Sequence, residues 1–271
     1  MSKVRIKIVS GYILGFIFSL ILVVLMTSII LKLTVFNKSY VYRVLEENNY
    51  YEIVSKEIRT KMGDYMMSSG LPDSILDDTF TVNDVKKDIN LYINNYYKNT
   101  KTKLNVDDIE KKLSTNINKY LNSRDISIES ESVLNDFIKG ITKIYKDEVL
   151  HYNLLDAIRN RFNKICKIIN LILIISVILL VISILLLKFV KFEYINSTFI
   201  SSGLIILFII LYINSTIDVS SIRIVTENFS NITNVLYEKV EFWLILSAIL
   251  LIIVGFLEIL RETSKKDLKK S

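Results

Sequence analysis

Asp73, Asp77, Asp78, Asp84 and Asp88 form the densest set of oxygen ligands in the chain. Clustered carboxylates suit hard cations such as Ca²⁺, and paired carboxylates can run acid–base chemistry without any fixed motif. Here the spacing fits no Ca²⁺ loop, and the tight-turn glycine such a loop needs is missing. Acids at helix starts, favoured beside the positive end of the helix dipole, account for most of them. His151 is the only histidine and Cys166 the only cysteine. A lone imidazole reads as a solvated or interfacial side chain. A lone thiol allows neither an internal disulfide nor a cysteine-based metal site, and it stands too far from the first apolar segment to be a lipidated cysteine. The sequence has no phosphate-cradling glycine loop, zinc-protease helix or nucleophile elbow. We expect no catalytic, cofactor-binding or metal-binding residue, and no enzyme.

The elements that would have to position any site are apolar. Apolar residues make up 51% of the 271, high for a soluble protein, and a membrane-crossing helix needs about 20 mostly apolar residues in a row. No charge lies between Lys7 and Lys32, between Lys167 and Lys188, or from Tyr194 to Ile217. A fourth stretch, Phe242 to Leu257, reaches Leu260 if Glu258 meets the interface. Gly11, Gly15 and Ser19 on the first span form a ridge of small residues that can pack on another span or on a second copy of the chain. Asn196, Ser197, Ser201 and Ser202 give the third span a polar membrane face, which serves either close helix packing or the lining of a substrate path. The first three spans contain no ionisable residue, which argues against ion- or proton-coupled transport.

Lysine and arginine near the span ends set the orientation. Lys3, Arg5 and Lys7 precede the first span, Lys188 and Lys191 link the second to the third, and Arg261, Lys265, Lys266, Lys269 and Lys270 follow the fourth. A four-span chain places all three groups on one side, the cytoplasm. The first span is too long for a cleaved signal peptide and no small-x-small cleavage site follows it, so it reads as a retained signal-anchor. The expected organisation is therefore a cytoplasmic N-terminus (1–7), a first span (8–33), an extracytoplasmic all-α domain (34–167), a second span (168–187), a cytoplasmic loop (188–193), a third span (194–214), an extracytoplasmic amphipathic segment (215–241), a fourth span (242–260) and a basic cytoplasmic tail (261–271). The net charge of +6 then belongs to the cytoplasmic edges, because the acids and bases of 34–167 almost balance. It points to anionic lipid headgroups as the partner on that side, not to nucleic acid.

Within 34–167, Pro72, Gly63, Gly70 and Gly140 are the only helix breakers, so helices are expected throughout. The first should run from Ser39 to Met67 as a continuation of span one. Gly70 should cap its end, and Pro72 should open the first turn of the next helix. "TVNDVKKDINLYINNYYK" and "NVDDIEKKLSTNINKYLN" then align with Val82 on Val106, Asp84 on Asp108, Lys87 on Lys111, Ile93 on Ile117, Asn94 on Asn118 and Tyr96 on Tyr120. Each has apolar residues along one helical face and an N-cap with an acid three residues on, Thr81 with Asp84 and Asn105 with Asp108. Neither copy holds a nucleophile beside a base, so these are helix starts and core stripes. A third amphipathic helix begins at Glu131, and helical spacing from Asn153 runs on into the second span, giving one long helix from the domain into the membrane. The stripe Ile222, Val225, Phe229, Ile232, Val235, Leu236 and Val240 should dock on the larger domain or lie along the membrane surface.

With "NNYYEIVSKEI", "SGLPDSILDD" and "DVKKDINLYINNYYK" set between an N-terminal anchor and three later spans, the Lys-, Asn- and Ile-rich chain resembles four-pass membrane proteins of clostridia and related low-GC Gram-positive bacteria. The resemblance implies a bacterial plasma-membrane location and carries over no catalytic residue. The expected fold is an all-α membrane protein with four transmembrane helices and an extracytoplasmic helical domain inserted between the first and second. Its expected role is contact with a protein, envelope or ligand partner, as a sensor or an assembly partner. Homo-oligomerisation and a component of a transporter or channel are the alternatives.

Overall fold

The computed structural model describes residues 3–126, 130–150, 154–190, 193–218 and 227–268, and every regular element among them is helical. The helices are α1 (Lys3–Leu33), α2 (Lys38–Glu47), α3 (Tyr50–Met67), α4 (Val82–Tyr97), α5 (Asp107–Asn122), α6 (Glu131–Leu150), α7 (Leu154–Val190), α8 (Glu193–Thr216) and α9 (Glu227–Leu268), with a 3₁₀ turn at Asp73–Leu76. Four stretches are long and apolar enough to cross a membrane: Val9–Leu33, Ile158–Leu186, Asn196–Thr216 and Asn228–Ser264. The chain is therefore a multi-pass membrane protein by the length and composition of its helices. His151, residues 219–226 with the stripe positions Ile222 and Val225, and the tail lysines Lys269 and Lys270 lie outside the described residues.

The chain divides into two compact units. One, the helical domain, comprises Val41–Asn163 with Arg223–Ile232. The expected single helix from Ser39 to Met67 is broken here, both from span one and within itself. α1 ends at Leu33, with the Thr34 hydroxyl bonded back to the Ile30 carbonyl at 2.6 Å, and Asn37 Oδ1 accepts the Ser39 N–H at 3.0 Å to start α2 afresh. α2 and α3 are separated at Asn49, held at φ 51°. That left-handed conformation is one asparagine tolerates better than most residues. Asp78, Asn99 and Asp125 take the same conformation between later elements, and Gly70, at φ 77°, ends α3. α6 packs against α3, α4 and α5, and Ile58, Met62, Met66, Leu76, Val85, Leu113, Ile117, Ile141 and Tyr145 are almost wholly buried.

The two similar segments become α4 and α5, both against α6, but they are not equivalent. α4 has the full capping box: Thr81 Oγ1 accepts the Asp84 N–H at 3.2 Å, and Asp84 Oδ2 accepts the Thr81 N–H at 2.8 Å. α5 does not follow the expected Asn105–Asp108 pairing. Asn105 Oδ1 takes the Asp107 N–H, two residues on, at 2.8 Å, and Val106 occupies the cap position without a side-chain bond. Val106 is buried where its counterpart Val82 is exposed. The expected long helix into the membrane is α7, which begins at Leu154 after α6 has ended at Leu150.

The other unit, an apolar bundle, holds Met1–Tyr40, Lys164–Ile222 and Thr233–Ser271. α8 packs against α1 and α9 around Val23, Ile206, Ile210 and Ala248. Phe18 and Leu22 of α1 meet Leu180 and Ile184 of α7 and Phe199 of α8. Among the outward residues are Phe16, Ile17, Leu171, Ile178, Leu185, Phe208 and Leu257, an apolar exterior that suits lipid and would be costly in water. At 1.5 Å per residue the 37 residues of α7 extend about 55 Å and the 42 of α9 about 63 Å. Both exceed the ~30 Å hydrocarbon thickness of a bilayer.

Candidate functional site

Three buried hydroxyls of the apolar bundle, those of Ser19, Thr198 and Ser202, meet at the seam between α1 and α8. Gly11, Gly15 and Ser19 lie with Phe18 and Leu22 on the buried face of α1, and the small side chains let the α8 backbone come close. Ser19 Oγ donates to the Gly15 carbonyl at 2.9 Å and lies 3.4 Å from the Thr198 carbonyl. The Thr198 hydroxyl donates to the Gly15 carbonyl at 3.4 Å. Ser202 Oγ donates to the Thr198 carbonyl at 2.7 Å and approaches the Ser19 carbonyl at 3.2 Å. Each hydroxyl thus bonds within its own helix or across to its neighbour. With no imidazole, amine or carboxylate in this network, nothing activates a hydroxyl as a nucleophile; what the network does is join two helices within the apolar bundle.

The four polar residues expected to share one face of α8 are split. Ser202 faces α1. Asn196, 5% exposed, sits beside α9, and its Nδ2 has no hydrogen-bond partner among the described residues. Ser201 is half-buried and Ser197 is exposed. The α8–α9 seam rests on glycines that sequence reasoning did not single out. A Cβ on Gly203 would stand 2.5 Å from the Ala248 carbonyl oxygen, and one on Gly255 would stand 2.9 Å from the Asn196 carbonyl oxygen. Ala248 is fully buried. The available signal was the placement of small residues in two spans, which becomes informative only once their facing partners are known.

In the helical domain three of the five acids of 73–88 are engaged separately, each with a different partner. Asp77 pairs with Arg59, Asp84 caps α4, and Asp88 Oδ2 accepts the Tyr145 hydroxyl at 2.8 Å. Burial raises the Asp88 carboxyl against the opposing effect of that hydroxyl, and burial together with Asp88 pushes the Tyr145 phenol up.

A second charged cluster was not foreseen. Lys61 Nζ lies 2.8 Å from Glu57 Oε1 and 2.7 Å from Glu148 Oε1, and Asn228 Nδ2 donates to Glu57 Oε2 at 2.5 Å. Burial pulls the Lys61 ammonium down, but hydrogen bonds to Glu148 and Glu57 outweigh it and hold its pKa above the usual value. Burial, then Glu57 and Glu148, raises the neighbouring Tyr50 phenol. The first turn of α9 is thereby tied to α3 and, through Lys61, to α6. Only the Glu57–Lys61 spacing, one turn apart on a helix, was visible in the sequence.

Cys166 is half-buried on α7. No protein-family model matches this chain, and no curated protein or solved structure is detectably similar to it. Its function therefore rests on these two arrangements.

Proposed function

We propose that this chain is a bacterial plasma-membrane protein whose helical domain lies outside the cell, binds a protein, envelope component or ligand there, and passes the bound state to the membrane through α7 and α9. One observation carries the reading. The Asn228–Glu57–Lys61–Glu148 cluster grips the start of α9, and α9 then runs unbroken to Leu268 through the apolar stretch Asn228–Ser264. A change in how α3 and α6 pack would be felt at the head of a membrane-crossing helix. Support for the orientation comes from the basic residues at the ends of the spans and from the near-neutral domain, which is long enough to be exported whatever its charge.

The test combines orientation with partner capture. In a Cys166→Ser background, a membrane-impermeant maleimide should label Ser114→Cys in intact cells and should label Ser264→Cys only after lysis. A photo-crosslinker placed on the exposed surface of α5 should then trap a discrete partner from intact cells. Labelling of Ser264→Cys in unbroken cells, or turnover of a substrate by the purified chain, would reject the reading.

A component of a transporter or channel is the second reading, favoured by the buried amide of Asn196, which has no hydrogen-bond partner among the described residues. Under that reading, joint alanine replacement of Asn196, Ser201 and Ser202 abolishes a flux while protein levels hold.

A further inference from the structure

The C-terminal end of α4 is attached to α7 at an unusual level. Tyr96 and Tyr97 place their ring centroids 4.9 Å and 5.1 Å from that of Phe162, and Asn163 Nδ2 donates to the Tyr96 carbonyl at 3.3 Å. Phe162 lies inside the apolar stretch Ile158–Leu186, but that stretch becomes free of charge only from Ile168. The separation of the two positions corresponds to about 9 Å of helix axis, and the headgroup zone on each side of a bilayer is about 5–8 Å deep. At about 9 Å the three rings reach the outer edge of that zone, next to the interface where tyrosine and other amphipathic aromatics concentrate in membrane proteins.

The charged residues that directly follow Tyr97, and those that flank Phe162 from Ala157 onward, have one sign, with Asp107 and Asp156 lying just beyond these stretches. After Tyr97 the chain reads "KNTKTKLNV". Asn99, at φ 57°, turns it out of α4, and the Thr100 N–H closes on the Asn95 carbonyl at 2.9 Å. Lys98, Lys101 and Lys103 are all exposed, as is Arg161 on α7 one residue from Phe162. Neither 98–106 nor 157–190 contains an acidic residue, although acids and bases almost balance over the domain as a whole. A solvated helix end would need one cation beside its dipole. Three exposed lysines in six residues, beside rings at the outer edge of the headgroup zone, match an anionic surface.

We infer that Lys98, Lys101, Lys103 and Arg161 form a binding surface for anionic phospholipid headgroups around the Tyr96–Tyr97–Phe162 cluster. The assignment to the outer leaflet rests on the orientation proposed above; the lipid contact itself does not. Bound lipid would hold the α4–α7 junction, so the composition of the leaflet would bear on one of the two helices that leave the domain.

The test uses the full chain in nanodiscs, where both faces of the bilayer have the same composition. Failure of the orientation thus leaves the result unaffected. Thr100→Cys in the Cys166→Ser background is given an environment-sensitive fluorophore, and quenching by nitroxide carried on lipid headgroups is measured in phosphatidylcholine discs with and without phosphatidylglycerol. Quenching should rise severalfold with phosphatidylglycerol. It should return to the phosphatidylcholine level in Lys98→Gln/Lys101→Gln/Lys103→Gln and at high salt, because exposed charge pairs are screened within a Debye length. Retention of the wild-type circular dichroism by the triple variant shows that the loss is one of contact. Equal quenching in both disc types, quenching indifferent to the triple substitution, or protection of the label by soluble polyphosphate without any lipid effect would overturn the inference.

Discussion

Glycine at two positions decides whether α8 and α9 can meet. Gly203→Leu has to displace the Ala248 carbonyl and Ile252, and Gly255→Leu the Asn196 carbonyl and Ile200. Overpacking of this kind costs about 1–3 kcal/mol. Either variant should lower the thermal stability of the purified protein in detergent, whereas Phe208→Leu, on an outward residue, should leave it unchanged. Titration gives a second residue-scale expectation. Burial, then the nearby Glu46, pushes the Tyr51 phenol up to about 12 from its ordinary 10.0. A raised folded pKa favours the protonated form, so this contribution is fully present below pH 10 and is lost as pH rises through about 12. Ultraviolet titration should show a tyrosine ionising near pH 12, and Tyr51→Phe should remove that step. Burial pushes Tyr50 and Tyr145 higher still.

Helix starts are where local chemistry and fold agree most closely. Thr81→Ala removes the acceptor for the Asp84 N–H and should destabilise the domain by about 1 kcal/mol, read as a shift in the denaturant midpoint. Burial acts to raise the Asp84 carboxyl, but hydrogen bonds from the Thr81 N–H and hydroxyl, with Lys112 and Lys87 nearby, hold it below 3.8. The linked stability is present above pH 3.8 and fades as pH falls through the lower folded value; in Thr81→Ala the hydroxyl's share of that acid dependence should vanish, while the larger share carried by the backbone N–H stays.

The box at Thr81 was legible because both partners lie within one turn of chain. So were the apolar spans, because lipid selects on composition alone. The break at Asn49 was not, since helical spacing of apolar residues continues straight through it and only the backbone angle of one asparagine marks the turn. The Asn105 cap slipped by a residue because an asparagine can take the N–H two or three positions on with similar geometry. Of the candidate residues, Gly15 and Ser19 could be placed on a packing face, but that their partners are Thr198 and Ser202 is a property of the folded bundle. The Glu57–Glu148–Asn228 grouping joins three distant segments and leaves no local trace.

At the scale of the molecule, that charged grouping is the point where the helical domain holds the head of α9. Lys61→Met leaves Glu57 and Glu148 facing each other without a cation. Because the Lys61 side chain is 42% exposed, water screens part of the repulsion, and the expected loss is about 1–2 kcal/mol. The more specific expectation is local. Hydrogen exchange should accelerate in residues 228–232 of α9 before the core around Ile141 and Tyr145 responds, and Glu148→Gln in the Lys61→Met background should restore part of the protection by removing one of the two opposed charges.

The α1 seam of α8 contrasts with this. Its hydroxyl-to-carbonyl bonds contain, among the described residues, nothing that gains or loses a proton and nothing that salt can screen, whereas on the α9 side the Asn214 amide donates to Glu241 Oε1 and accepts the Tyr237 hydroxyl, both at 2.7 Å. Acid, alkali or brine can therefore loosen the charge-dependent contacts of the protein while finding no purchase between α1 and α8. A damaged domain would remain suspended from an intact anchor, and recovery would begin with that anchor already assembled.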